Sequence, residues 1–450
     1  MNKTACLLLI AILTVTPLVG LSKANFFPPP ASLPHVYIRS DGSLEPASVP
    51  VQRAGNVYTF TGDLANYTLE IQRSNIVVDG AGHFLEGNGS GQGIVLRSLN
   101  GVVVRNLALK NLREGIDVAS SSNCTLTGMT ITKTTLGIYL YNSSYNVIEK
   151  SNVSGNSGDA IVLLDGCNYN SITENQITEN GNGGINLQPP DTVWNRTACD
   201  YNSIVGNNLT ANAAFGIWIL SSSNCLIQRN IIANTEWGIQ LHGSTCKNNT
   251  VIWNKITGCH SYGIILAGGT SEGTIAKNTL MWNSVGVDIF VSENNQFCNN
   301  NFVNNYKQVD NHFVEASNLT GTLSYPPSQN SWDNGSSSGG NYWSDLNVKD
   351  TNNDGYSEEP YIIDANNTDH YPLMQTFGVV EGYTAPSPSP STSPSPSASE
   401  NQSEPPFNLH STTTFPIEVA YTLAGVLTIV AVGAAVMLRK RKTSKHEGLG

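Results

Sequence analysis

The sequence contains one segment whose side-chain oxygens are spaced like those of a calcium-binding loop. Its candidate ligands are Asp350, Asn352, Asp354, Tyr356 and Glu358. Such loops have carboxylate or amide oxygens at positions 1, 3 and 5, a glycine at position 6 and a backbone carbonyl at position 7. Gly355 fills position 6, but Tyr361 stands at position 12, where an EF-hand has a glutamate. The segment therefore predicts a calcium site that is not an EF-hand, and a plain Asp/Asn/Gly turn is the alternative.

Two cysteines lie in nearly identical hexapeptides, Cys167-Asn-Tyr-Asn-Ser-Ile and Cys199-Asp-Tyr-Asn-Ser-Ile. Residues at the same position of neighbouring structural repeats have Cα atoms close enough for a disulfide. We therefore predict a disulfide between Cys167 and Cys199. The sequence has no Cys-x-x-Cys pair, so cysteine spacing does not support a zinc or a redox motif.

Both cysteines lie in a repeat that organises the middle of the chain. A small residue followed by apolar, any and apolar residues recurs at intervals of 22 to 25 residues, with one interval of 32. The copies begin at Gly93, Gly115, Gly137, Ala160, Gly184, Gly216, Gly238, Gly263 and Gly286. A period of this length indicates a solenoid, and alternating, often β-branched apolar residues indicate strands. About 22 residues at roughly 3.3 Å each make one three-sided coil, or rung. The prediction is an all-β fold, a parallel β-helix.

A second periodicity keeps register with the first. Residues at one bend of each rung are mostly asparagine: Asn106, Met129, Ser151, Asn175, Asn207, Asn230, Asn254, Asn278 and Asn300. Stacked asparagines can bond to one another and to the backbone of the next rung, which satisfies polar groups that a tight bend leaves unpaired. We interpret this column as structural.

The third residue of each repeat motif should point outward from the coil. This outward column is Val95, Asp117, Tyr139, Val162, Asn186, Trp218, Gln240, Ile265 and Asp288. Its two carboxylates are seven rungs apart. Glycosidases need two carboxyl groups roughly 5–9.5 Å apart, so we expect no catalytic pair in this column. Asp165 and Asp191, near neighbouring bends, are the one plausible couple for polysaccharide hydrolysis or cleavage by a lyase.

The same face has the composition of a sugar-binding surface. The long rung carries an insertion near residues 188–196, and loops on a rigid scaffold often carry function. Aromatic faces beside amides and charged groups suit sugar rings, which present C–H surface and hydroxyls together. The predicted ligand-binding residues are Tyr139, Tyr141, Asn186, Gln188, Trp194, Arg196 and Trp218.

The two ends of the chain predict a surface protein with a membrane anchor. Residues 1–24 resemble a secretory signal. Residues 25–92 are predicted to form an N-terminal cap and a first irregular rung, and residues 93–313 the β-helix repeats. Residues 314–384 predict an aromatic, Gly/Asn-rich cap, and 385–416 a Ser/Pro-rich linker. Residues 417–438 are long and apolar enough for a transmembrane helix, and the basic tail 439–450 predicts a cytoplasmic end. Asn-x-Ser/Thr sequons recur from Asn66 to Asn401, in keeping with a domain outside the cell. A net charge of −11 disfavours a nucleic-acid partner.

The rungs, typified by Asn224-Cys-Leu-Ile-Gln-Arg-Asn-Ile-Ile-Ala-Asn234, resemble NosD-like, or CASH-type, right-handed β-helix repeats. The segment Gly339-Gly-Asn-Tyr-Trp-Ser-Asp345 is similar to the closing segment of NosD-like surface proteins of archaea. The resemblance covers roughly residues 57–375. It implies a right-handed parallel β-helix and two kinds of function, copper-centre maturation or the binding and cleavage of polysaccharides.

Copper sites favour clustered Cys, Met and His. The best candidates here are His242, Cys246, Cys259 and His260, which could gather on one side of a rung. A solvated histidine and a buried cysteine are the favoured interpretation, so we expect no copper and no required cofactor. The sequence thus predicts a non-catalytic module, anchored to the cell surface, that binds a surface polysaccharide or glycoprotein. The alternatives are an adhesive stalk without a small ligand, a metal-handling protein and a polysaccharide hydrolase or lyase.

Overall fold

The chain folds as a parallel β-solenoid with three sheets. The computed structural model describes residues 33–189, 197–312, 314–318, 321–325 and 327–378. The described residues contain strands and turns but no helix. Each rung contributes one strand to each sheet, and the strands pair in parallel with the same strand of the next rung. This confirms the predicted all-β, parallel β-helix class.

Sheet A has the longest strands and contains the repeat motif. In spatial order its strands are Leu44–Glu45, His35–Ile38, Thr68–Ile71, Gln92–Arg97, Glu114–Ala119, Leu136–Tyr141, Ile161–Leu164, Gly183–Gln188, Phe215–Leu220, Trp237–His242, Tyr262–Ala267, Val285–Phe290 and Lys307–Asn311. The first pair is antiparallel, and the remaining pairs are parallel. Sheet A therefore offers one continuous outward face from rung to rung.

Sheets B and C consist of shorter strands. Sheet B contains Val51–Ala54, Val57–Phe60, Val77–Asp79, Val103–Arg105, Thr125–Thr127, Val147–Glu149, Ser171–Thr173, Ser203–Val205, Leu226–Gln228, Thr250–Ile252, Thr274–Ala276 and Gln296–Cys298. Sheet C contains Leu64–Ala65, Phe84–Glu86, Ala108–Lys110, Thr130–Thr132, Asn152–Ser154, Gln176–Thr178, Asn208–Thr210, Ile231–Ala233, Lys255–Thr257, Thr279–Met281, Asn301–Val303 and Tyr342–Trp343. Two antiparallel hairpins follow, Val314–Asn318 with Gly321–Tyr325 and Tyr361–Asp364 with Asn367–Asp369.

The core is a stack of isoleucine, leucine and valine side chains that point inward from all three sheets. The small residue of the repeat motif is needed because the rungs approach each other closely there. A Cβ atom on Gly115 would lie 2.5 Å from the carbonyl oxygen of Gly137 and 2.7 Å from Cγ2 of Ile131. Both contacts are shorter than van der Waals packing allows, so the motif of this rung requires glycine at its first position.

The asparagine column forms a continuous hydrogen-bonded ladder inside one bend. Asn230 shows the pattern: its Oδ1 accepts bonds from the backbone N and the Nδ2 of Asn207, at 2.9 and 3.0 Å. Its Nδ2 donates to the Ile204 carbonyl and to Oδ1 of Asn254, at 2.9 and 3.0 Å. The ladder runs on to Asn300 and Asn341, and it ends at the carboxylate of Asp369.

Asn106 does not belong to this ladder, so that part of the prediction is wrong. Asn106 is exposed and lies in the left-handed region with φ of 55°. Leu107 occupies the buried ladder position instead. Asparagine is also favoured in the left-handed conformation, so residue type alone does not distinguish the two neighbouring positions.

Stacked aromatic rings close the C-terminal end of the core. Trp332 stacks on Phe297 with ring centroids 4.2 Å apart. Trp343 stacks on Phe302 at 4.3 Å and on Tyr361 at 4.0 Å. These rings cover apolar surface that a further rung would otherwise cover.

The predicted signal, linker, transmembrane helix and tail lie outside the described residues. Within the part of the chain that the structure describes, no helix is long and apolar enough to cross a membrane.

Candidate binding face

The outward column of sheet A forms a row of side chains in register on consecutive rungs. Asn186 pairs with Trp218, and Trp218 pairs with Gln240. We name this trio, Asn186, Trp218 and Gln240, the polar row. Asn186 and Gln240 are buried and Trp218 is half-buried, although none of the three belongs to the inner hydrophobic core. The structure therefore brings together two of the predicted binding residues and adds Gln240.

Each member of the polar row carries a buried polar atom without a hydrogen-bond partner. These atoms are Asn186 Oδ1, Trp218 Nε1 and Gln240 Oε1, and among the described residues one further buried side-chain atom shares this property. Asn186 is held in place because its Nδ2 donates to Asp159 Oδ2 at 3.0 Å. Buried polar groups are nearly always paired, and each exception needs an explanation. Three exceptions on successive rungs make this face a candidate site.

Aromatic side chains line one side of the polar row. Phe215, Trp237 and Tyr262 are in register on three consecutive strands, three residues before the outward column. The ring of Phe215 meets that of Trp218 edge to face, with centroids 5.5 Å apart. Phe215 is buried but lies outside the inner core cluster. The position before the repeat glycine therefore faces outward here, because the glycine itself turns toward the interior.

Two rungs beyond Gln240, the face becomes acidic. Asp288 is in register with Asp310 of the next rung, and Nε2 of His312 lies 2.6 Å from Asp288 Oδ1 and 3.9 Å from Asp310 Oδ2. The prediction that carboxylates in the outward column are isolated is therefore wrong. It failed because the last rung, around Val309 and Asp310, lacks the glycine–isoleucine signature.

The opposite end of the face carries a fully paired polar network. Gln92 Nε2 donates to Glu114 and Asp117 at 2.9 and 2.7 Å, and Arg97 contacts Asp117 at 2.9 Å. Burial and the nearby carboxylates of Asp117 and Glu114 raise the pKa of Tyr139 to about 12. Tyr139 therefore stays a neutral phenol, and this end needs no ligand to satisfy it.

The other residues predicted to bind or to catalyse are dispersed. Tyr141 is exposed, and a hydrogen bond to Asp165 raises its pKa. Gln188 is half-buried at the end of its strand. Trp194, Arg196 and Asp191 lie outside the described residues, so neither the loop contacts nor the Asp165–Asp191 couple can be placed.

A ladder of tyrosines, which the sequence analysis did not predict, lies at the bend between sheets A and B. Tyr145, Tyr169 and Tyr201 stack in parallel, with centroids 5.0 and 4.8 Å apart. About half of each side chain is exposed. Asp200, beside Tyr201, lines a cleft of about 360 Å³ that also reaches Pro189, at the start of the long-rung insertion. The Tyr-Asn pair that recurs at Tyr145, Tyr169 and Tyr201 was the available signal.

The predicted calcium loop is closed by its own backbone. Oδ1 of Asp354 accepts the Tyr356 N–H at 2.9 Å, and Oε1 of Glu358 accepts the Thr351 N–H at 2.9 Å. Asp350 Oδ2 accepts the Gly355 N–H at 2.9 Å, whereas Asp350 Oδ1 is buried without a partner. One inward oxygen is therefore left for a cation, and the site stays a prediction, as do ligand roles for Asn352 and for the Tyr356 carbonyl.

Cys167 and Cys199 are buried thiols at equivalent places on consecutive rungs. The neighbouring Cys167 thiol and burial both raise the pKa of Cys199. The contact is compatible with the predicted disulfide, which stays a prediction.

The fold defines a class, the right-handed parallel β-helix proteins. Within that class, the family model described as periplasmic copper-binding protein (NosD) matches residues 66–234 and 196–348. The chain belongs to the NosD family, as the repeat resemblance predicted. No curated protein matches the chain significantly.

Several solved β-helix structures are similar at low identity. The A-module of mannuronan C-5 epimerase AlgE6 from Azotobacter vinelandii is 15% identical, with a TM-score of 0.45, over 62% of this chain and 88% of that one. PfbA, a surface adhesin of Streptococcus pneumoniae, is 12% identical, with a TM-score of 0.42, over 62% and 91%. A GH87 alpha-1,3-glucanase from Streptomyces thermodiastaticus is 14% identical, with a TM-score of 0.42, over 62% of each chain. At these values the similarities say nothing of this protein's activity.

The family description raises copper, and the described residues do not fit it. The described cysteines are buried as separate thiols. His242 is half-buried, and burial lowers its pKa, whereas His260 is exposed. Within the described residues, one group of at least three potential ligands converges, namely Asp288, Asp310 and His312. This group contains no soft sulfur donor.

Proposed function

We propose that the outward face of sheet A binds an extended carbohydrate chain. The observation that carries the proposal is the polar row, in which Asn186, Trp218 and Gln240 present an acceptor, a donor and an acceptor on successive rungs. Strands of neighbouring rungs are roughly 4.8 Å apart. A polymer with hydroxyls in repeated positions could pair with these atoms once the side chains that bury them shift, because each hydroxyl both donates and accepts.

The energetics favour occupation of this face. A buried polar group without a partner costs about 1–3 kcal/mol, so a ligand that pairs with the polar row would remove part of this cost. The rings of Phe215, Trp237 and Tyr262 alongside offer apolar surface for the C–H faces of sugar rings. The scaffold beneath is rigid because the isoleucines on either side of each outward residue are locked in the core.

Charge indicates the class of glycan. Carboxylates stand at both ends of the face, Glu114 and Asp117 at one end and Asp288 and Asp310 at the other, and the whole chain carries −11. Like charges repel and raise the cost of association. We therefore propose a neutral polysaccharide, or the neutral glycans of a surface glycoprotein, in preference to a polyuronate.

The proposal is tested by removing the unpaired atoms. Gln240→Met replaces the amide by an apolar group of similar outline, whereas Trp218→Phe removes the indole N–H together with one ring. We expect each to weaken binding of the best ligand from a polysaccharide array roughly tenfold, the equivalent of about 1.4 kcal/mol. We expect the unliganded stability of Gln240→Met to stay equal or rise, because a buried unpaired group is removed. Trp218→Phe also loses packing volume, so we expect no gain in stability from it.

Tyr169→Ala is the matched control, because Tyr169 is an exposed aromatic residue on the bend between sheets A and B. It should leave affinity unchanged if the ligand lies on sheet A. Wild-type affinity in both sheet A variants would refute the site. Binding to no glycan at all would favour the adhesive stalk.

We also propose that this domain is displayed outside the cell on the predicted anchor at residues 417–438, with the tail at 439–450 in the cytoplasm. Proteolysis of intact cells should remove the β-helix and leave a protected fragment that contains the tail. Release of the intact chain by a salt wash would contradict a transmembrane anchor.

A further inference from the structure

The acidic end of sheet A brings three potential metal ligands to one point. One ligand atom each from Asp288, Asp310 and His312 all lie within 4.8 Å of one another. The Nε2 atom of His312 faces both carboxylates, at 2.6 and 3.9 Å. Asp288 is buried, whereas Asp310 and His312 are half-buried, so a cation can enter from solvent.

Other histidines of the described region show what an ordinary ion pair looks like in this protein. His35 contacts Glu70 at 2.8 Å, His83 contacts Asp63 at 3.1 Å, and His370 contacts Asp333 at 3.0 Å. None of these pairs belongs to a converging group of three ligands within the described ranges. The second carboxylate therefore distinguishes the His312 cluster from a simple pair.

The surroundings of the cluster are negative. Lys307 pairs with Asp310 Oδ1 at 2.8 Å, which leaves Asp310 Oδ2 directed toward His312. Burial raises the pKa of Tyr262, and the carboxylates of Asp288, Asp310 and Glu236 add to this rise. A divalent cation would neutralise this excess.

The donor set selects the kind of metal. Calcium and magnesium take oxygen ligands, so an imidazole nitrogen between two carboxylates argues against them. Zinc binds His nitrogen and carboxylate oxygen at roughly 2.0–2.2 Å, typically with three protein ligands and one open position. Ligand atoms around such an ion are about 3.4 Å apart, so the observed separations need only small side-chain shifts.

We infer that Asp288, Asp310 and His312 form a binding site for a divalent metal ion of the zinc type, on the same face as the polar row. The ion would replace the proton that Nε2 of His312 shares with Asp288. Its fourth position would be open toward solvent on sheet A. The site stands independently of glycan binding, because the three protein ligands converge without any sugar.

The test is zinc binding by the full chain, purified without a histidine tag and titrated in excess calcium. Competition with a chromophoric chelator measures the affinity, and Co²⁺ substitution reports the coordination through its visible spectrum. Copper is unsuitable as a probe because it binds almost any nitrogen–oxygen set more tightly. The variants are Asp288→Asn, Asp310→Asn and His312→Gln, with His370→Gln as the matched control.

We expect wild-type protein to bind one Zn²⁺ at this site, and each ligand variant to lose at least about tenfold in affinity. His370→Gln should keep the wild-type affinity. All variants should keep the wild-type circular dichroism without metal, because these side chains lie outside the core. Absence of zinc binding, wild-type affinity in His312→Gln, or an equal loss in His370→Gln would each overturn the inference.

Discussion

The asparagine ladder makes a quantitative prediction for Asn230→Ala. The substitution removes four hydrogen bonds of 2.9–3.0 Å, two to Asn207 and one each to Ile204 and Asn254. Asn230 is fully buried, so water cannot replace them. At about 1 kcal/mol for each bond, the free energy of unfolding should fall by about 4 kcal/mol.

Two further substitutions separate hydrogen bonding from mere packing. Serine already occupies this column at Ser151, where its Oγ accepts the Met129 N–H at 3.1 Å. Asn230→Ser should therefore recover roughly half of the loss. Asn208→Ala is the control, because Asn208 points outward on sheet C and bonds to Gln176 in an exposed position, and it should cost less than about 1 kcal/mol.

Guanidinium unfolding measures these differences, with the midpoint and the m-value fitted separately. Neighbouring rungs contact each other in series, so a local break in the ladder can also lower cooperativity and the m-value. If Asn230→Ala costs no more than Asn208→Ala, the ladder does not stabilise the solenoid and the reasoning is refuted.

The remaining predictions concern calcium, redox state and pH. Millimolar calcium should raise the melting temperature of the wild type but not of Asp350→Asn. The control Asp41→Asn, in an exposed turn of similar geometry, should still be stabilised by calcium. Equal melting temperatures in calcium and in EGTA would show that the loop is an ordinary turn. Non-reducing peptide mapping should recover a peptide that joins Cys167 to Cys199, and two free thiols would refute the disulfide. Burial raises the pKa of Asp369 from 3.8 to about 6, so between these values the folded state binds more protons than the unfolded state. Stability should therefore fall by about 2 kcal/mol as pH rises from 4 to 6, and Asp369→Asn should flatten this slope. An unchanged slope in the variant would contradict the assignment.

Much of the fold was predictable because the same pattern of residue types recurs in each rung. Each rung needs a small residue where backbones meet, and inward isoleucine or leucine on either side of an outward residue. Gly238 and Ile239 illustrate both requirements. Such constraints are local and recur at a constant interval, so period and residue type suffice. The error at Asn106 arose because asparagine suits two adjacent positions equally well.

The candidate site was only partly predictable. Asn186 and Trp218 were found because both occupy the outward position of a recognisable motif. Asp310 and His312 were missed because their rung lacks that motif. The repeats were expected to extend to residue 313, but without the motif residue type alone does not show that Asp310 stands beside Asp288.

The sequence by itself determined the coil, its period, the inward core and the buried asparagine ladder, because these depend on residue type at a fixed spacing. Only the tertiary structure decided which outward atoms lack a partner and which distant side chains meet. Stacking brings together residues that are more than twenty positions apart in the chain, such as Asp288 and His312. Whether a polar atom such as Gln240 Oε1 has a hydrogen-bond partner depends on all the residues around it in space, and no local sequence pattern specifies them.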